Sequence, residues 1–386
     1  MVKQTGVDKW LFFVTLVLVV FGLAMVFSAS AIVARESNMS EFVFAGRQAG
    51  WALAGVLAML GLMCVDVSSY KSPRVVYPAV AITVLLLLGT YLLPNSRATH
   101  RWIRFGHQFT FQPSELAKLV LVLFMAWFLH TRLDKMRDWK GTLLRVAIVP
   151  VMLIGIVGKQ PDLGTALVLA GVTAMMLILA GIEWKWLLGA FLLSLPPLIL
   201  MLMVGFRQNR LKVFLHPEAD PTGPGFHIYQ SLIAVGAGGL TGRGYMEGIQ
   251  KLFFLPEPET DFIYAVIGEE LGLIGALAVI FLFVLILRQG MKIASRARDS
   301  FGALLAFGIT ALVVFQALIH IAVVTASMPT KGIVLPLVSS GGSSIVVTLA
   351  AIGVLLNIAS QAKDEPNADF EVVHAQDVKR PAEAGV

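Results

Sequence analysis

The feature that most constrains this chain is the recurrence of apolar runs long enough to cross a bilayer. About 20 such residues span the hydrocarbon core. Ten runs qualify: roughly 10–34, 45–65, 75–93, 113–130, 144–158, 163–181, 186–204, 262–288, 301–326 and 333–359. Helices satisfy every backbone polar group within one segment, which lipid requires. The expected fold is therefore all-α, a polytopic membrane bundle of about ten transmembrane helices with a large extracytoplasmic loop, about 205–260, between helices 7 and 8. Composition agrees. Charged residues make up 14%, against about 25% in soluble domains, and mean hydropathy is +0.80. A soluble multidomain enzyme is excluded, and no nucleic-acid partner is expected.

Residues 10–34 are too long for a signal-peptide core and read as a retained first span. The lone Cys64 permits no internal disulfide. Residues 1–360 form one membrane domain. The tail, 361–386, is rich in Ala, Glu, Asp, Lys and Pro, and is expected to be disordered.

Lys and Arg in the connections set orientation. With the N-terminus inside, the inner segments hold Lys71 and Arg74; Arg132, Lys135, Arg137, Lys140 and Arg145; and Arg288, Lys292, Arg296 and Arg298. Ten spans then return the tail to the cytoplasm. The short outer segment 94–112 breaks the rule with Arg97, Arg101 and Arg104 beside Trp102 and His107. Outer cations kept against that bias point to an anionic ligand, or more plainly to lipid phosphates. The glycine-rich "GAGGLTGRG" lacks nucleotide-binding spacing and reads as a loop.

Four constellations share the outer level. "LPEPETDFIYAVIGEELG" places Asp261 at the threshold of the eighth span, where an Asp also suits a helix N-cap. Glu269 lies about 12 Å deeper and Glu270 on the opposite side, so each needs its own partner, a buried Lys or Arg being the plain reading. "QPSELAKL" puts Glu115 and Lys118 on one helix face. That pair either fixes packing or sets Lys118 against a phosphate. "GKQPDLGTA" supplies Lys159 and Asp162. "SMPTKGIVLPLVSSGGSS" supplies Lys331 and Ser343, in a stretch too polar for ordinary lipid contact.

These four motifs, in this order, resemble the SEDS family of shape, elongation, division and sporulation proteins. The resemblance runs from the first span to about residue 360, and its wording is closer to the division members than to the elongation members. Two departures are Ser340, where the family has tyrosine, and His320, where asparagine is common. The resemblance implies a peptidoglycan glycosyltransferase in the inner membrane, at the division septum, polymerising lipid II beside a class B penicillin-binding protein and other divisome proteins. It implies that Asp261 is the essential aspartate and that Glu115 and Lys118 share its cavity. Arg101, Trp102, Lys331, Asp162 and Ser343 complete the candidate substrate site. No His/Cys cluster marks a metal site, although magnesium or manganese could accompany the lipid diphosphate. A lipid II flippase or a non-catalytic recruiter of the transpeptidase are the competing classes.

Overall fold

The computed structural model describes residues 8–36, 38–92, 100–105, 109–132, 139–202, 226–252, 254–329 and 332–362. Its helices are α1 (Lys9–Glu36), α2 (Val43–Met63), α3 (Val67–Tyr70), α4 (Pro73–Leu92), α5 (Pro113–His130), α6 (Trp139–Lys159), α7 (Leu163–Leu179), α8 (Trp184–Leu202), α9 (Phe226–Gly238), α10 (Ile263–Ser295), α11 (Ser300–Val324) and α12 (Gly342–Ser360). One hairpin, β1 (Ile103–Phe105) with β2 (Phe109–Phe111), pairs antiparallel. The protein is an all-α multi-pass membrane protein: eight of these helices are long and apolar enough to span a bilayer, and α7 is a shorter apolar helix. Residues 205–225 of the expected outer loop and 363–386 of the expected tail lie outside the described residues.

The apolar runs predict most helices to within a few residues, because each is bounded by a physical stop. Pro113 opens α5 at a position where its missing N–H costs nothing. Asp162 caps α7 by accepting from Thr165 N, and Asp299 caps α11 by accepting from Gly302 N. The starts of α5, α7, α10 and α12 are tied together by the contacts given below; we call this the site end. At the opposite end Lys71 pairs with Asp299, and Asn357 donates to the terminal carbonyls of α2 at Leu62 and Met63.

Two runs expected as continuous helices are broken. The tenth, expected from 333, becomes helical only at Gly342. Pro336, with no N–H, and the serine–glycine run give residues 332–341 an irregular path that includes Leu337 at φ 66°. Simple counting of apolar residues does not register this. The path is held from two sides, by α2 and α1. Gln48 on α2 donates to Ser339 O and accepts from Gly341 N. A Cβ on Gly22 of α1 would stand 2.7 Å from Leu337 O, and one on Gly342 would stand 2.5 Å from the Trp51 indole.

The eighth run is interrupted at Gly272, with φ 66° and ψ −164°, and continues beyond its expected end to Ser295. The break frees carbonyls at Glu269 and Glu270 and N–H groups at Leu273 and Ile274. The segment after α9 satisfies all four. Arg243 N and Gly244 N donate to Glu269 O and Glu270 O, while Leu273 N and Ile274 N donate to Gly239 O and Leu240 O. Residues 239–244 therefore enter the bundle to the level of Gly272, about 13 Å beyond Ile263. Gly238 and Gly242 make this approach possible, since a Cβ on either would meet the α10 backbone at 1.9 and 2.1 Å.

Candidate functional site

Asp261 lies just before α10, whose N-cap is Phe262 without a side-chain cap bond. The capping role open to Asp261 in the sequence thus falls outside the helix start. Its carboxylate is turned to the irregular segment: a Cβ on Gly332 would stand 2.9 Å from Asp261 Oδ2. That segment is laced to the residues before Asp261. Ser340 N donates to Glu259 O at 2.8 Å, and Ser339 Oγ donates to Thr260 O at 2.7 Å. Burial pushes the neighbouring Glu259 carboxyl up from its ordinary pKa; a backbone hydrogen bond opposes this, and the charge of Glu257 adds to it.

Glu115 and Lys118 sit on the first turns of α5, both buried, with Nζ 2.8 Å from Oε2. Glu115 Oε2 is nonetheless not aligned for a hydrogen bond with any neighbour. It is held by the charge of the Lys118 ammonium as an ion pair. Lys118 donates instead to Gln316 Oε1 at 2.6 Å, and Gln316 Nε2 donates to Val334 O at 2.9 Å. One turn along α11, His320 Nδ1 lies 2.6 Å from Ile333 O. Gln316 and His320 thus grip consecutive carbonyls directly after Gly332. Gln316 connects the Glu115–Lys118 pair to the irregular segment that lies against Asp261. The apolar pattern of α11 hides Gln316; only a lone amide in a span, as a buried polar group needing partners, could have signalled it.

Asp162 joins two further motifs. Its carboxylate accepts from Thr165 N and Oγ1, from Gln112 Nε2 at 3.2 Å and from Ser114 Oγ at 3.4 Å. Ser343 Oγ accepts from Gln112 N and donates to Thr110 O, seating α12 on the hairpin and α5. Arg101 donates to the carbonyls of Gln160 and Pro161, which close α6. Trp102 stands half-buried before β1. Lys331 lies outside the described residues. Asp162, Ser343 and Arg101 therefore join the motifs to one another, while Asp261 lies against Gly332 and Glu115 and Lys118 reach the same segment through Gln316.

Glu269 and Glu270 are fully buried and have separate partners, as their spacing on the helix requires. Glu269 accepts from Ile249 N and Gln250 N, with Arg243 at 3.8 Å. Glu270 pairs with the buried Lys251 and accepts from Ser28 and Met246 N. Both carboxylates hold the re-entering segment.

Fold and site together define a polytopic membrane protein with carboxylates and a lysine gathered at one end of a helical bundle. The model of the FtsW/RodA/SpoVE family, described as cell cycle protein, matches residues 8–364. The chain belongs to this family, as the four motifs anticipate. It is 40% identical over 364 residues to a protein of Geobacter metallireducens named probable peptidoglycan glycosyltransferase FtsW, covering 93% of this chain and 96% of that one. It is 38% identical to stage V sporulation protein E of Bacillus subtilis, covering 94% and 99%. Among solved structures, it superposes with TM-score 0.77 and 26% identity on a chain of a peptidoglycan synthase complex described as coordinating polymerization and crosslinking, covering 94% of this chain and all of that one. The rod shape determining protein RodA of Thermus thermophilus superposes with TM-score 0.68 at 25% identity, covering 94% and 99%.

Proposed function

We propose that this chain is a peptidoglycan glycosyltransferase that polymerises lipid II at the outer face of the bacterial inner membrane, with Asp261 as general base. The carrying observation is that the Asp261 carboxylate lies against Gly332 and that the Glu115–Lys118 pair reaches the same irregular segment, at Val334, through Gln316. The Lys and Arg distribution supports an extracytoplasmic position for the site end and cytoplasmic termini. Residues 1–360 act as one catalytic membrane domain.

Asp261 takes the proton of the acceptor GlcNAc 4-hydroxyl as that oxygen attacks the anomeric carbon of the donor MurNAc. The new C–O bond forms as the bond to the lipid diphosphate breaks, and the diphosphate leaves with the electron pair. Displacement from the opposite side turns an α-linked donor into a β-1,4 bond. No nucleotide is needed, because the diphosphate is already an activated leaving group.

Lys118, fixed by Gln316, is aimed for the departing charge. Glu115 holds the Lys118 ammonium in place as its buried ion-pair partner. Arg101, Trp102, Asp162 and Ser343 shape the walls, and we assign Lys331 to the same diphosphate. Among the described residues no three His, Cys, Asp or Glu side chains form a metal-binding group. A magnesium or manganese ion used by the reaction would be carried on the diphosphate.

A class B penicillin-binding protein is the expected partner, and 40% identity to a protein named FtsW favours a divisome role at the septum. The test is reconstitution with that partner, labelled lipid II and moenomycin to silence ordinary transglycosylases. Wild type should make polymer, and Asp261→Asn should lose about 10²–10⁴ in rate while staying folded. Equal polymer from both would remove Asp261 as base. Lipid scrambling without polymer would identify a flippase, and intact function in all site variants would leave only a recruiter.

A further inference from the structure

A hollow of about 290 Å³ opens at the end of the bundle opposite the site, lined by Tyr77, Trp127, Phe128, Thr131 and Arg132. It lies where the start of α4 meets the end of α5, about 27 Å along α5 from Pro113. Tyr77 and Trp127 meet edge to face with ring centroids 5.2 Å apart. The Arg132 guanidinium stacks 5.3 Å from the Phe128 ring centroid, a contact that does not neutralise its charge. Among the described residues Arg132 makes no ion pair. The Tyr77 hydroxyl and the Trp127 indole N–H likewise lack an acceptor there, whereas the Thr131 hydroxyl already donates to Phe128 O. Exposed Arg74, three residues before Tyr77, brings a second cation to the same helix face.

Aromatic rings with polar tips collect at bilayer boundaries, and basic pockets between helices on the cytoplasmic side suit anionic headgroups. The face carrying Tyr77 continues along α4 through Leu85 and Leu88, which are 68% and 47% exposed and offer a bed for hydrocarbon. We propose that this hollow binds one anionic phospholipid of the cytoplasmic leaflet, its phosphate against Arg132 and the Trp127 indole N–H and its acyl chains along Leu85 and Leu88. A zwitterionic lipid brings its own cation to a place that already holds Arg132, with Arg74 one helical turn from Tyr77, so the lipid must carry net negative charge. The site is remote from Asp261 and needs only the orientation given above, not the glycosyl transfer.

The test uses the full chain in mild detergent, with phosphatidylglycerol and phosphatidylcholine of equal chain length titrated and retained lipid read by native mass spectrometry. One phosphatidylglycerol should be held in preference to phosphatidylcholine, by about fivefold for each cation. Arg132→Gln should reduce that preference about fivefold, and Arg132→Lys should retain most of it. Trp127→Phe, which keeps the ring and removes the N–H donor, should weaken both lipids' retention. Equal retention of the two lipids by wild type overturns the proposal, as does an unchanged preference in Arg132→Gln of normal melting temperature. Should Arg132→Gln fail to fold, Arg74→Gln gives the same reading at the exposed cation.

Discussion

Gly332 lies so close to the Asp261 carboxylate that a Cβ at position 332 would stand 2.9 Å from Oδ2. The glycine is therefore part of how the base is aimed. Gly332→Ala forces the carboxylate or the irregular segment to move by several tenths of an ångström. Small misplacements at a reacting centre are costly, so polymerisation should fall by about 10–100-fold. Thermal unfolding in detergent should change little. Full activity in Gly332→Ala would show that the carboxylate's position at this segment is unimportant.

Gln316 has both ends engaged, by Lys118 and by Val334 O. Gln316→Leu leaves a buried ammonium and a backbone carbonyl short of a partner, at about 1–3 kcal/mol each. A lower melting temperature is expected together with slower polymerisation. Gln316→Glu keeps an acceptor for Lys118 but loses the donor to Val334 O, so it should recover only part of the stability. Identical melting of Gln316→Leu and wild type would sink this account of the clamp.

Glu270 and Lys251 form an ion pair removed from solvent. Breaking such a pair from one side costs about 3–5 kcal/mol, because an uncompensated charge stays buried. Lys251→Met alone should destabilise strongly, while Lys251→Met with Glu270→Met should regain most of the loss. A double-mutant cycle measures the coupling. Purely additive losses would mean that the pair does not hold the re-entering segment.

Glu259 gives a pH dependence whose sign is set by burial, which raises its pKa above the ordinary 4.5. Its protonated form is favoured in the folded chain. The stability it contributes is fully present below pH 4.5 and is lost as pH rises through its raised folded value. Glu259→Gln removes this ionisation, so its melting temperature should gain on wild type as pH rises through that window. Parallel curves for the two proteins would show that Glu259 is no more buried folded than unfolded.

Most of the bundle is legible in the apolar runs because a bilayer imposes one length and one type of secondary structure. The two breaks are less visible. Gly272 sits in "EELGLIG", where a glycine within a span is ordinary and only its positive φ reveals the interruption. The irregular path 332–341 is hinted at by Pro336 and the serine–glycine run, but apolar counting carries the helix through it. Asp261, Glu115 and Lys118 stand out as charges at helix ends. Gln316, Gln48 and Ser339 do not, because neutral polar residues gain meaning only from the backbone groups they reach across the bundle. Arg101, read from sequence as a cation for an anionic ligand, also fastens the carbonyls of Gln160 and Pro161, a use that local sequence cannot show.

The network around Glu269 and Glu270 has a consequence for biogenesis. A carboxylate carried alone into the middle of a span costs about 2.5–3.5 kcal/mol on insertion. Every side-chain partner of these two acids, Ser28, Arg243 and Lys251, precedes them in the chain. When the ribosome delivers the eighth span, the groups that neutralise it have already been made.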